Sequence, residues 1–174
     1  MKHAFLVAPL LCSFAQAASA PSLDSLVGPQ LTGLVDTYKS IHSHAELSHH
    51  EERTAGILAA ELRKAGYTVT ERVGKYPDGS LAYGVVGILE NGPGPRLLIR
   101  SDMDALPIVE QINVSYASHV TAKNAAGQDV GVLHACGHDI HVNTLIGTAR
   151  ADVARRCNRH VVGGDRVIAE AVKD

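Results

Sequence analysis

The chain has 174 residues, of which 45% are hydrophobic and 20% charged, and its formal net charge is −2. This length and composition are typical of one ordinary globular domain with its own core. The weak negative charge, the 4% aromatic content and the absence of Trp argue against nucleic acid as a partner. Such a chain supplies neither a basic patch nor platforms for base stacking.

The first twenty residues have the pattern of an export signal. Lys2 precedes an apolar run over residues 4–14, and small residues follow up to Ala20. Cleavage sites of the A-x-A type occur at residues 15–17 and 18–20. The apolar run is too short for a permanent membrane helix, and a buried N-terminal helix is the alternative. We therefore predict a signal peptide over residues 1–20 and an exported protein, periplasmic or secreted, without membrane contact after cleavage.

Two helices are predicted to follow the signal. Apolar residues recur at helical spacing over residues 23–43, with a break expected near Gly28-Pro29. A second helix is expected to open at Ser48, where Glu51 completes a capping box, and to stop at Gly66.

Strand-like runs then indicate a sheet. They cover residues 67–73, 81–89 and 96–100, and turn sequences separate them. The last run is short and continuously apolar inside, which is typical of a buried central strand. A further helix is expected near Asp139, with one apolar face marked by Ile140, Leu145, Ile146 and Ala149. This order predicts an α/β fold whose ligand site lies at the carboxyl ends of the strands.

Residues 134–141 read HACGHDIH and combine one thiol, three imidazoles and one carboxylate. This donor set suits a divalent transition metal such as zinc or manganese, in a closed structural or an open catalytic site. Cys136 and His138 are the expected ligands, and further donors must come from elsewhere. A nucleophilic Cys–His pair is one alternative, and a disulfide between Cys136 and Cys157 is another. The neighbouring imidazoles favour the metal.

Asp102 and Asp104 follow the third strand-like run. One carboxylate could reach the metal while the other orients a histidine ligand, and a turn with solvated acids is the alternative. We interpret four histidines of the N-terminal half as exposed capping and surface residues, namely His42, His44, His49 and His50.

Three segments in this order resemble the M20 metallopeptidase family, in its amidohydrolase branch of hippurate hydrolases and auxin-conjugate hydrolases. They read IHSHAELSHHEERTA over residues 41–55, RSDMDALPI over residues 100–108 and HACGHDIH over residues 134–141. The similarity runs from about residue 31 to about residue 150. It implies a partial zinc-exopeptidase-like sheet flanked by helices, with residues 21–150 as the N-terminal part of the catalytic domain.

The resemblance also implies a chemistry. Cys136 and His138 would be metal ligands, and Asp104 would support the site. Asp102 and Asp139 would either bind metal or hydrogen-bond to a metal-binding side chain. The complete family site holds two ions, Mn or Zn, and hydrolyses N-acyl amino acids or related amides. A glutamate acts as general base there.

Two departures from the family pattern stand out. Ala45 replaces a usual proline, which costs local rigidity. After Arg150, no Pro-x-Glu-Glu segment appears, so the general-base Glu, the later histidine ligands and the dimerisation domain have no counterpart, and residues 151–174 are interpreted as a divergent tail. The expectation is a truncated chain of very low activity, with a homodimer only in a full-length form. A non-catalytic metal-binding remnant or interaction module is the alternative.

Overall fold

A computed structural model describes residues 21–90, 96–158 and 166–171. The α-helices are α1 (Leu23–Val27), α2 (Leu31–His42), α3 (Glu52–Lys64) and α4 (His138–Asn158). The strands are β1 (Thr68–Lys75), β2 (Leu81–Leu89), β3 (Arg96–Ser101), β4 (Thr121–Lys123), β5 (Asp129–Gly131) and β6 (Arg166–Ala171). The α/β class is confirmed. Within these ranges every helix is too short or too polar to span a bilayer. The predicted signal peptide lies outside them.

The main sheet has four strands in the order β1-β2-β6-β3. β1 and β2 form an antiparallel hairpin, β2 and β6 are antiparallel, and β6 and β3 are parallel. A separate two-stranded hairpin joins β4 to β5. No sequence pattern predicted this hairpin, because three-residue strands are too short for an alternating pattern to be recognised.

The prediction of β3 as a buried central strand is wrong. β3 lies at one edge of the sheet, and Leu97 and Leu98 are 54% and 55% exposed. The interior place beside β2 is taken by β6, which comes from the region interpreted as a divergent tail. A continuous apolar run is compatible with either place, and the pairing partner that decides between them lies about 70 residues further along the chain.

The helices largely follow the predicted pattern. The expected break near Gly28-Pro29 is a short 3-10 turn between α1 and α2. α4 begins at His138, close to the predicted start, and continues without interruption through Arg150. On its predicted apolar face, Leu145, Ile146 and Ala149 are buried, whereas Ile140 is 50% exposed.

The start of α3 differs from the prediction. The helix begins at Glu52 rather than Ser48, and Glu51 at the N-cap makes no capping hydrogen bond with its side chain. The carboxylate of Glu46 caps the helix instead. It accepts hydrogen bonds from the backbone amides of Arg53 and Thr54, each at 2.8 Å, and from the Thr54 hydroxyl at 2.8 Å. An acceptor outside the helix therefore satisfies two of the free amides at its first turn.

The core lies between the helices and one face of the main sheet. α3 packs on β1 and β2, and α4 packs on α2, α3 and β3. The fully buried side chains of the core come from α2, α3, α4 and β2 and include Ile41, Leu58, Leu62, Val85, Val142 and Ile146. A smaller apolar cluster is formed by Ala45, Leu47, Ala105 and Val132. This second cluster packs the segment before α3 against the loop after β3 and the segment after β5.

Candidate metal centre

The loop after β3 is held against the segment that leads into α4. Leu106 and Leu133 exchange two backbone hydrogen bonds, with N···O distances of 2.9 and 3.0 Å. The amide of Ala105 donates to the carbonyl oxygen of Glu46 at 2.7 Å, which adds the segment before α3. Residues that are far apart in sequence are thereby brought to one side of the fold.

This arrangement brings Asp104 and His138 together. Nδ1 of His138 lies 2.8 Å from the backbone carbonyl oxygen of Asp104 and 3.1 Å from its Oδ1. A carbonyl oxygen can only accept, so Nδ1 carries the proton and donates it. The lone pair of the ring is then on Nε2, which is the tautomer that a metal ligand needs.

Asp102 is separated from this pair. Its Oδ1 accepts from the guanidinium of Arg100 at 3.1 Å, and both side chains are about 40% exposed. The structure therefore places Asp104 in a hydrogen bond with Nδ1 of the expected ligand His138, and Asp102 in a surface ion pair.

Cys136 is exposed and not in a disulfide, and it lies two residues before His138. Gly137 between them has φ of +78°, a conformation that glycine adopts without a Cβ penalty. Its carbonyl oxygen accepts from the amides of Ile140 and His141, so the turn leads directly into α4. A free thiol and an imidazole with its lone pair on Nε2 are the donor types that a divalent transition metal takes. Among the described residues no group of three such donors occurs.

His134 is a buried histidine whose two ring nitrogens have no hydrogen-bond partner among the described residues. It is 6% exposed. Burial lowers the pKa of His134 to about 4, and the nearby Asp139 only partly opposes this effect. The ring is therefore neutral at neutral pH.

The prediction of a surface role for His42 is wrong. His42 is the last residue of α2 and is 8% exposed. Its Nδ1 donates to Oδ2 of Asp139 at 2.7 Å, and its Nε2 donates to Oε1 of Glu110 at 3.2 Å. Burial alone would lower the pKa of His42, but the hydrogen bonds to the two carboxylates outweigh it and raise the pKa. His44, His49 and His50 are exposed, as predicted.

Glu110 was not recognised from the sequence. Its Oε2 accepts from the backbone amide of Ser118, and its side chain is 2% exposed. Burial would raise the pKa of Glu110, but this amide and His42 outweigh it and lower the pKa. A lone Glu in a loop carries no local signal for such a contact, because its partner His42 lies 68 residues earlier.

Asp139 is fully engaged by protein groups. It is 1% exposed, its Oδ1 accepts from the amide of Ile140 at 2.8 Å, and its Oδ2 accepts from His42. The structure therefore places each carboxylate oxygen of Asp139, the residue after His138, in a hydrogen bond with a protein group. The site has two histidine–carboxylate pairs, His138–Asp104 and His42–Asp139. One member of each pair, His138 or Asp139, belongs to the first turn of α4.

Comparisons with known proteins identify relatives of this arrangement. Residues 98–161 match the family model described as Peptidase family M20/M25/M40. The chain is 38% identical over 133 residues to thermostable carboxypeptidase 2 of Saccharolobus solfataricus, covering 76% of this chain and 29% of that protein. It is 36% identical over 125 residues to an N-acyl-L-amino acid amidohydrolase of Geobacillus stearothermophilus, covering 72% of this chain and 30% of that protein.

A solved structure agrees with these sequence matches. It is a Bacillus subtilis protein described as a dinuclear metal binding peptidase from the M20 family, with a TM-score of 0.63 and 33% identity. The match covers 82% of this chain and 35% of that protein. The chain spans about three tenths of the length of the two curated relatives.

Proposed function

Because the chain belongs to peptidase family M20/M25/M40, we propose that it carries part of the metal centre of an amidohydrolase that acts on N-acyl amino acids or related amides. The observation that carries this proposal is the His138–Asp104 pair, together with the free thiol of Cys136 two residues before His138. Two similar proteins, an N-acyl-L-amino acid amidohydrolase and a dinuclear metal binding peptidase, support the substrate class and the metal.

The roles of the residues follow from their contacts. Cys136 and His138 would hold a divalent ion, Mn²⁺ or Zn²⁺, through Sγ and Nε2. Asp104 keeps the proton on Nδ1 of His138, so that Nε2 remains free to donate its lone pair. A bound divalent ion supplies Lewis acidity for attack on an amide carbonyl. Two protein donors form only part of a tight site, since catalytic zinc sites use three.

Metal binding by the purified chain tests this proposal. We expect Zn²⁺, titrated by calorimetry, to bind weakly to the wild-type chain and not measurably to Cys136→Ser or His138→Asn. Cys157→Ser is the matched control and is expected to bind like wild type, because it removes a thiol outside the proposed pair. Equal binding by Cys136→Ser and wild type would remove Cys136 from the site.

Hydrolysis by this 174-residue chain alone is expected to be very low. Glu110 is bound to His42 and Ser118, and it therefore offers no free carboxylate as a base. Loss of a general base alone slows such reactions roughly 10²- to 10⁴-fold. The measurement is release of free amino acid from N-acyl-L-amino acids with added Mn²⁺ or Zn²⁺. Turnover close to that of a full-length relative contradicts this expectation.

A non-catalytic metal-binding remnant or interaction module is the second candidate, and the two-donor site favours it. It predicts zinc binding that depends on Cys136, together with no hydrolysis under any metal condition. A cysteine hydrolase, by contrast, would retain activity with a chelator and lose it on thiol alkylation. In the same assay, low hydrolysis that a chelator abolishes favours the first candidate, and no hydrolysis favours the second. Hydrolysis that resists the chelator and is lost on alkylation favours the cysteine hydrolase.

We also propose export, supported by the apolar segment and small residues of the first twenty positions. Expression of the full chain in a bacterium, followed by fractionation and mass spectrometry, tests this. The expected mature chain begins at Ala18 or Pro21, outside the cytoplasm. A chain without residues 1–20 is the control and should remain inside the cell.

A further inference from the structure

His42 joins three segments that are distant in the sequence. It ends α2, its Nδ1 contacts Asp139 in the first turn of α4, and its Nε2 contacts Glu110 in the loop between β3 and β4. The side chain of His42 is 10% exposed, and those of both partners are 2% exposed. Hydrogen bonds to charged groups in such a buried place are stronger than those at a surface.

The contact with Asp139 ties the first turn of α4 to the end of α2. Asp139 directly follows His138, and its carboxylate is held at one oxygen by the Ile140 amide and at the other by His42. His138 itself is held by Asp104. The first turn therefore has two anchors on adjacent residues, and rotation about either one would move the His138 ring.

His42 is not placed to exchange protons with a substrate. Both of its ring nitrogens are engaged by carboxylates, and the ring is packed among Tyr38 and Tyr116 at centroid distances of 5.6 Å. His42 therefore acts through the two carboxylates to which it is hydrogen-bonded.

We infer that His42 is a positioning residue, which fixes Asp139 and with it the orientation in which His138 and Cys136 bind metal. This inference rests on the proposed metal pair. The hydrogen bond from His42 to Asp139 orients the metal-binding residues. The hydrogen bond from His42 to Glu110 holds the loop between β3 and β4.

Two substitutions separate these contacts. The side-chain amide nitrogen of asparagine lies near the position of Nδ1, and that of glutamine lies near Nε2. His42→Asn therefore keeps a donor for Asp139, whereas His42→Gln keeps a donor for Glu110. In His42→Gln, Asp139 keeps only the Ile140 amide as a donor, and in His42→Asn, Glu110 keeps only the Ser118 amide. Each variant therefore loses one hydrogen bond to one carboxylate. His44→Ala, at an exposed histidine of the same region, is the control.

The experiment is titration of the full chain with Co²⁺, followed by the thiolate-to-cobalt absorption of Cys136, with circular dichroism and thermal unfolding as checks of the fold. Loss of an outer partner of a metal ligand typically lowers affinity about 10- to 100-fold. We expect about a tenfold loss for His42→Gln, a clearly smaller loss for His42→Asn, and none for His44→Ala.

The possible results have separate meanings. Equal Co²⁺ affinity in His42→Gln and His42→Asn, or losses that only follow thermal stability, overturns the positioning role and leaves the metal pair intact. No thiolate absorption in the wild-type chain overturns the metal pair, and the positioning role with it. If His42→Gln does not fold, Glu110→Gln and Asp139→Asn replace it. Affinity lost only in Asp139→Asn supports the inference, and equal affinities overturn it.

Discussion

At His138, the proton on Nδ1 decides which ring nitrogen can bind a metal. The backbone carbonyl of Asp104 fixes that proton from one direction, and its carboxylate adds a second acceptor. The sequence pattern placed Asp102 and Asp104 two residues apart at a strand end, but it did not decide which acid would face the histidine. The tertiary contact between Asp104 and His138 made that choice, whereas Asp102 pairs locally with Arg100.

Substitution of these two acids tests the assignment. Asp104→Asn is expected to weaken Zn²⁺ binding about tenfold, at the lower end of the range for partners of metal ligands, because the backbone carbonyl still holds Nδ1. Asp102→Asn is the matched control and is expected to bind within about twofold of wild type, since exposed ion pairs contribute little. Competition with a colorimetric zinc chelator measures both. A larger effect at Asp102 than at Asp104 would reverse their roles.

At the scale of elements, capping shows where sequence patterns stop being informative. Ser48 and Glu51 fit the local pattern of a capping box, yet α3 begins later and uses Glu46. Glu46 lies seven residues before Arg53, outside the spacing that a local capping motif covers. The segment between them has to fold back before the carboxylate can reach the helix, and a second contact between Glu46 and Ala105 fixes that fold.

Removal of the Glu46 carboxylate tests this capping. Glu46→Ala is expected to lower the free energy of unfolding by about 1–3 kcal/mol, because two part-buried amides of the first turn lose their acceptor. Glu46→Gln keeps one carbonyl oxygen and is expected to lose less. Glu52→Gln, an exposed acid of the same turn, should change stability by no more than about 0.5 kcal/mol. Urea unfolding measures all three, and equal losses at Glu46 and Glu52 would rule out the cap.

Local patterns predicted the elements better than their partners. Turn sequences and apolar runs placed β2 and the break near Pro29 correctly, because these depend on neighbours within a few residues. The edge position of β3 and the burial of His42 depend on residues about 70 and 97 positions away. For the site, the HACGHDIH segment was recognisable, whereas Glu110 was not.

At the scale of the whole molecule, His134 makes stability depend on pH. An unfolded chain binds a proton at this histidine near pH 6.5, whereas the folded chain binds it only near pH 4. Between these values the unfolded state holds more protons at His134, so the contribution of His134 to stability falls as the pH falls. The shift corresponds to at most about 3 kcal/mol. Above about pH 6.5 both states are neutral at this position, and its contribution no longer changes.

The His134→Leu variant tests this dependence. Between about pH 7 and pH 4 it is expected to lose up to about 3 kcal/mol less than wild type, because no proton uptake at this position favours unfolding. Urea unfolding with a chelator present measures it, since bound metal adds its own pH dependence. His44→Ala should keep the wild-type slope. An unchanged slope in His134→Leu would show that other groups cause the acid sensitivity.

The place of β6 has a consequence for how the chain reaches its native state. β6 separates β2 from β3, so the hairpin and the edge strand have no direct pairing with each other. During synthesis both remain as open strand edges until residues 166–171 leave the ribosome. Pairings across such long separations are slow to form, and exposed edges invite association with other chains. Among the described strands, β6 is therefore the one that joins the hairpin to β3, and both edges stay open to association with other chains until it has been synthesised.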